Sequence, residues 1–122
     1  KVPVYNLATR EDHIAPAESV LYGSQFFGGP VKYVLSGSGH IAGVVNPPAA
    51  GKYQYWRNDA DPKSLDEFVA GATEHKGSWW PDWIEWLREQ APRTVMPNGA
   101  RVPGAGKFKA IEDAPGRYVR SR

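Results

Sequence analysis

VPVYNLATREDHIAPAESVLYGSQFFGGPVKYVL, residues 2–35, is the stretch whose reading decides the fold. Val2 to Ala8 is an apolar run broken only by Pro3 and Asn6, and reads as a strand buried on both faces, as in a parallel sheet. Pro3 is tolerable because it stands at the strand's start. Thr9 to Ile14 reads as a loop. A helix then follows: Pro16 suits a first helical turn, Glu18 complements its positive end, and Val20, Leu21 and Phe27 recur on one face. Gly28-Gly29 supplies the stop and Pro30 prevents continuation. Val31 to Leu35 is a second strand. Strand, helix and strand within about 35 residues make a βαβ crossover, which implies a parallel sheet.

Outward from this unit, SGSGHIAGVVNPP (residues 36–48) is a Gly/Ser-rich loop carrying His40, and Asn46-Pro47-Pro48 forces an extended turn. Ser64-Leu-Asp-Glu67 is a capping box, and Leu65, Phe68, Val69 and Ala72 then mark a helix with one buried face. Pro81 opens a further helix that ends before Pro92; Trp80, Trp83, Ile84 and Leu87 carry the same spacing and predict its buried face. Beyond Pro92 the chain is rich in Pro and Gly, with one apolar island at Tyr118-Val119. Two strands give too little sheet and core for a self-sufficient domain. The fold class expected is therefore α/β: residues 1–92 as the C-terminal part of a larger domain, its last strand-helix-strand unit plus C-terminal helices, and residues 93–122 as a basic extension.

Composition narrows the chemistry. The 122 residues contain no cysteine, which excludes a disulfide framework, a Cys-based zinc site and a cysteine nucleophile within this chain. No apolar run approaches the roughly 20 residues of a membrane span, and the N-terminal residues lack the apolar stretch of a secretory leader. Net charge is +2, unevenly spread: residues 1–92 hold 8 Lys/Arg against 11 Asp/Glu, and residues 93–122 hold 7 against 2. The basic residues of the tail are dispersed among Pro and Gly without a tight cluster, so they read as a solvated extension rather than a nucleic-acid or lipid site. Five Trp and six Tyr argue against disorder.

The two crossover strands each run into a loop with an ionisable side chain, Asp12 in REDHIAP and His40 in SGSGHIAG. In doubly wound α/β proteins functional groups gather beyond the carboxyl ends of the strands. Acid first and histidine later is also the order of the last two members of an α/β-hydrolase triad. Histidine titrates near neutrality and can take and return a proton, while a neighbouring carboxylate fixes its tautomer and stabilises the imidazolium. Gly37, Gly39 and Gly43 allow a tight loop around His40. Asp12 is equally suited to capping the helix near Pro16. His13 reads as exposed or packed, and His75 as a partner of a helix C-terminus. Three scattered histidines lack metal-site spacing. The tryptophans at 79–86 read as core. No G-x-S-x-G pentapeptide occurs, so the chain holds no nucleophile elbow.

REDHIAP, GPVKYVLSGSGHIAGVVNPP, GSWWPDW and EDAPGRYV, in that order, resemble the C-terminal region of class I polyhydroxyalkanoate synthases. The resemblance covers most of the chain and is weakest between Pro92 and Lys107. It implies an α/β-hydrolase-like catalytic domain that polymerises (R)-3-hydroxyacyl-CoA into polyester with release of coenzyme A, the growing chain being held on a cysteine upstream of this segment. It implies Asp12 and His40 as the acid and the base, with Asp12 either activating the substrate's 3-hydroxyl or supporting His40. It further implies no cofactor, no metal and no nucleic acid. The partners implied are the N-terminal remainder of the synthase, the growing polyester at a granule surface, and a second copy of the intact enzyme in a homodimer, all in the bacterial cytoplasm. Two other readings remain open: the same part of a serine ester or polyester hydrolase, and a non-catalytic module that binds a granule or partner.

Overall fold

The computed structural model describes residues 1–121. The chain divides into two compact units, Lys1–Pro92 and Arg93 onward. The first holds all the regular structure: β1 (Val4–Thr9), α1 (Ala17–Ser24), β2 (Val31–Ser36), β3 (Gln54–Arg57), α2 (Leu65–Gly71), β4 (Thr73–Lys76) and α3 (Trp80–Gln90). The second holds two single 3₁₀ turns, Gly99–Arg101 and Tyr118–Arg120, among mostly exposed residues.

The crossover forms as its sequence dictates. β1 and β2 are parallel neighbours, with Val4 opposite Val31 and Thr9 opposite Ser36. The sheet does not stop at two strands, however. β3 pairs antiparallel with β2 and β4 antiparallel with β3, giving a mixed four-stranded sheet in the order β1-β2-β3-β4. The expectation of a two-stranded, purely parallel fragment is corrected here. β3 (QYWR) and β4 (TEHK) are four residues each, and β4 is largely exposed. A short polar edge strand of this kind protects a sheet against edge-to-edge pairing, and its sequence carries almost no strand signal.

Side chains alternate across the sheet. On one face Ala8, Tyr33 and Leu35 pack with Ala17 and Leu21 of α1 and Phe68 of α2. On the other, Val34 and Tyr55 pack with Trp79, and Tyr5 and Leu7 join them. Phe68 is completely buried, edge-on to Tyr33 at 4.9 Å between ring centroids.

Three helix expectations need correction. α1 ends at Ser24, before Gly28-Gly29, and Phe27 lies exposed outside it. Asn6 of β1 donates to the Val20 carbonyl (3.1 Å) and to Ser24 Oγ (2.8 Å), so the last helical turn is closed from the sheet. In α2 the Ser64 cap forms, its Oγ accepting from the Glu67 amide at 3.2 Å, but Val69 points to solvent and only Leu65, Phe68 and Ala72 face the core. α3 is rotated relative to its apolar stripe. Trp79, Asp82 and Trp86 face the sheet side, whereas Trp83, Ile84 and Leu87 are each about two-fifths exposed, at 38%, 41% and 39%. The cause is charge: Asp82 is buried against Lys32, Arg57 and the Tyr5 hydroxyl, and these partners stand on the strands. A buried carboxylate must find its counter-charges, and it turns the helix to do so.

Candidate active site

Thr9 and Ser36 are the last residues of two adjacent parallel strands and stand opposite one another. The loops that follow therefore leave the sheet side by side. Backbone bonds knit them together: the Arg10 amide donates to the Ser36 carbonyl (2.8 Å) and the Glu11 amide to the Ser38 carbonyl (3.0 Å).

Asp12 and His40 meet across this seam. Asp12 Oδ2 lies 2.7 Å from His40 Nδ1 and also accepts from the Thr9 hydroxyl at 3.3 Å. Asp12 Oδ1 accepts from the amides of Ile14 (2.8 Å) and Ala15 (2.9 Å). The carboxylate thus folds its own loop with one oxygen and holds the imidazole with the other. It does not cap α1, whose N-cap is Pro16 with no side-chain bond. The Ala15 amide above all, and then His40 and the Ile14 amide, hold the Asp12 carboxyl well below the usual carboxylate range, against the upward pull of burial. An ionised carboxylate can only accept, so Nδ1 carries the ring proton and donates it to Asp12. Nε2 is the outward-facing ring nitrogen, and it has no hydrogen-bond partner among the described residues. The Asp12 side chain is 6% exposed and that of His40 47%, so the pair is anchored inside and open at its reactive end.

The turn bearing His40 is tightly built. The Gly43 amide donates to the Gly39 carbonyl at 2.9 Å, and the Val45 amide to the Ile41 carbonyl at 2.8 Å. Ser36 Oγ, at the buried end of β2, donates to the Gly43 carbonyl at 2.7 Å. A side chain at Gly43 would collide with the carbonyl oxygens of Gly37 and Gly39 and with the Thr9 methyl, so glycine is required there by close approach.

This pair sits in a chain with clear relatives. No family profile matches it. Over 122 residues it is 53% identical to the poly(3-hydroxyalkanoate) polymerase subunit PhaC of Rhizobium etli, covering 100% of this chain and 19% of that protein. It is 57% identical over 123 residues to the poly(3-hydroxyalkanoate) polymerase of Methylorubrum extorquens, covering 100% of this chain and 20% of the relative. With the PhaC subunit of Cupriavidus necator the identity is 46% over 122 residues, 99% of this chain and 20% of the relative. Over its whole length the chain is similar to one segment of these poly(3-hydroxyalkanoate) polymerases. It spans about a fifth of the length of the curated relatives it matches.

Other side chains of this chain fall outside the pair. His13 is exposed. His75 lies in β4, stacked on Tyr55 at 5.0 Å, and not at a helix end as its sequence context predicts. Thr9 and Ser36 brace the acid and the His40 turn; their one legible signal is that each is the polar residue closing an apolar strand. Asp82 is a second buried acid. Burial pushes its carboxyl up, but the hydrogen bonds from Lys32 and Tyr5 and the charges of Lys32 and Arg57 outweigh this and hold it below its ordinary value. With all these partners it is a structural tie between α3 and the sheet. No helix among the described residues is long and apolar enough to cross a membrane.

Proposed function

We propose that this chain is the C-terminal, acid-and-histidine part of an α/β-hydrolase-like polymerase domain, with residues 1–92 as the catalytic portion and the remainder as its extension. The observation that carries the proposal is the 2.7 Å contact between Asp12 and His40 Nδ1 beyond the carboxyl ends of adjacent parallel strands. His40 Nε2 removes the proton from a cysteine thiol supplied by the rest of the polymerase. The thiolate attacks the thioester carbonyl of an (R)-3-hydroxyacyl-CoA, the carbon–sulfur bond to coenzyme A breaks, the acyl group passes to the enzyme, and the imidazolium returns its proton to the departing coenzyme A thiolate. Coenzyme A leaves as product and is not a cofactor. The growing polyester stays with the enzyme at a granule surface in the cytoplasm, and the intact protein works as a homodimer; these last features rest on family resemblance.

The site favours one of the two roles for Asp12. Both oxygens are occupied by groups of the protein and the side chain is nearly inaccessible, which favours contact with His40 over contact with a substrate hydroxyl. Asp12 therefore supports His40, fixing its tautomer and stabilising the imidazolium.

The test uses the intact polymerase and 3-hydroxybutyryl-CoA. His40→Ala and Asp12→Asn are each expected to slow coenzyme A release by roughly 10²–10⁴-fold, the usual loss for an acid–base group. Wild-type turnover in either folded variant overturns the assignment.

A further inference from the structure

The turn that carries His40 is held from outside by a pair of indoles. Trp79 Nε1 donates to the carbonyls of Gly43 and Val44, both at 3.2 Å, and Trp80 Nε1 donates to the Val44 carbonyl at 3.0 Å. With the Ser36 hydroxyl, these two carbonyls receive four donor contacts from groups distant in sequence from the turn or on its preceding strand. They lie at the end of a hydrogen-bonded turn, where carbonyls have no partner within the turn and otherwise depend on water.

The indoles are themselves fixed. Trp79 stacks on Tyr5 of β1 at 5.9 Å between centroids. Asp82, two residues beyond Trp80 in the first turn of α3, is bound to Lys32, Arg57 and Tyr5 on three strands of the sheet. A rigid line of contacts therefore runs from the sheet through the start of α3 to the turn, and the ring facing Asp12 projects from the other end of that turn. Packing alone accounts for an aromatic at these positions. It does not account for two indole N–H groups aimed at successive carbonyls of one turn.

We propose that Trp79 and Trp80 are positioning residues for His40, holding its turn so that Nδ1 stays on Asp12 and Nε2 keeps its heading toward the reacting thiol. This rests on His40 acting as the base. Loss of one N–H clamp lets the turn relax by a fraction of an ångström, and a misplacement approaching 1 Å costs on the order of 10²-fold in rate, so a partial shift is expected to cost about tenfold.

The decisive experiment is a double-mutant cycle in the intact polymerase, reading coenzyme A release. Trp80→Phe removes the donor and keeps an aromatic ring. If that protein does not accumulate folded, 3-benzothienylalanine at position 80 keeps the shape of the indole and replaces its N–H by sulfur. The expected result is an about tenfold lower kcat with little change in KM. In a His40→Ala background the same change has almost no further effect, because there is no imidazole left to position. An undiminished kcat overturns the inference. So does an equal fractional loss in both backgrounds, which is the signature of a merely structural role. Wild-type turnover in His40→Ala alone is the separate result that overturns the catalytic reading beneath it.

Discussion

Replacing Gly43 by alanine perturbs the site without touching either ionisable group. The added Cβ falls 2.6 Å from the Gly37 carbonyl oxygen and 2.9 Å from that of Gly39, where ordinary contact begins at 3.4 Å; the larger conflict is about 0.8 Å. Both obstacles are main chain and cannot rotate away. The turn must move instead, and its far end carries His40. If the full displacement reaches the ring, the Nδ1 to Oδ2 separation grows from 2.7 Å toward about 3.5 Å, past the roughly 3.2 Å limit of a sound N–H···O bond. We predict an about 10²-fold loss of kcat for Gly43→Ala. The assay is coenzyme A release from 3-hydroxybutyryl-CoA by the intact polymerase, followed with a chromogenic thiol reagent, with the thermal midpoint recorded alongside. Gly39→Ala is the control: its Cβ meets nothing nearer than the Glu11 carbonyl oxygen at 3.8 Å, and its rate is expected within about twofold of wild type. A folded Gly43→Ala enzyme at wild-type rate, or a Gly39→Ala enzyme equally impaired, would refute the reasoning.

Phe68→Ala removes the one fully buried aromatic of the α1–α2 face and is predicted to destabilise the chain by about 3–5 kcal/mol, measured by denaturant unfolding; a loss below about 1 kcal/mol would mean that this core is not assembled as described. Asp12 supplies a pH signature. Its folded carboxyl is more acidic than the unfolded value of about 3.9, so its stabilising effect is complete above that value and is lost as the pH falls through the lower, folded one. In a His40→Ala background, where no imidazole titrates beside the carboxyl, the stability gap between Asp12 and Asp12→Asn should therefore be level from neutrality to about pH 5 and close on further acidification; a gap that widens instead would show the carboxyl to be shifted the other way.

The parts of this molecule that could be read from sequence are those where one local force dominates. Val4–Thr9 and Val31–Ser36 are apolar and β-branched, Ser64 and Glu67 make a cap, and the loops after two parallel strands had one predictable destination. Asp12 and His40 were legible for that reason. The failures have one shared cause, a long-range partner. β4 is a strand only because β3 lies beside it. α1 stops at Ser24 because Asn6 reaches across to it. α3 buries Asp82 in preference to Ile84 because Lys32 and Arg57 wait on the sheet, and no periodicity within the helix contains that information. The same limit hid the role of Trp79 and Trp80: their acceptors lie 35 and 36 residues earlier in the chain.

Asp12 draws two of its contacts from amides of the segment it belongs to. Its negative charge is thus held in place by local folding. On the proposed mechanism, the imidazole beside it would gain and lose its proton next to a charge that is already fixed.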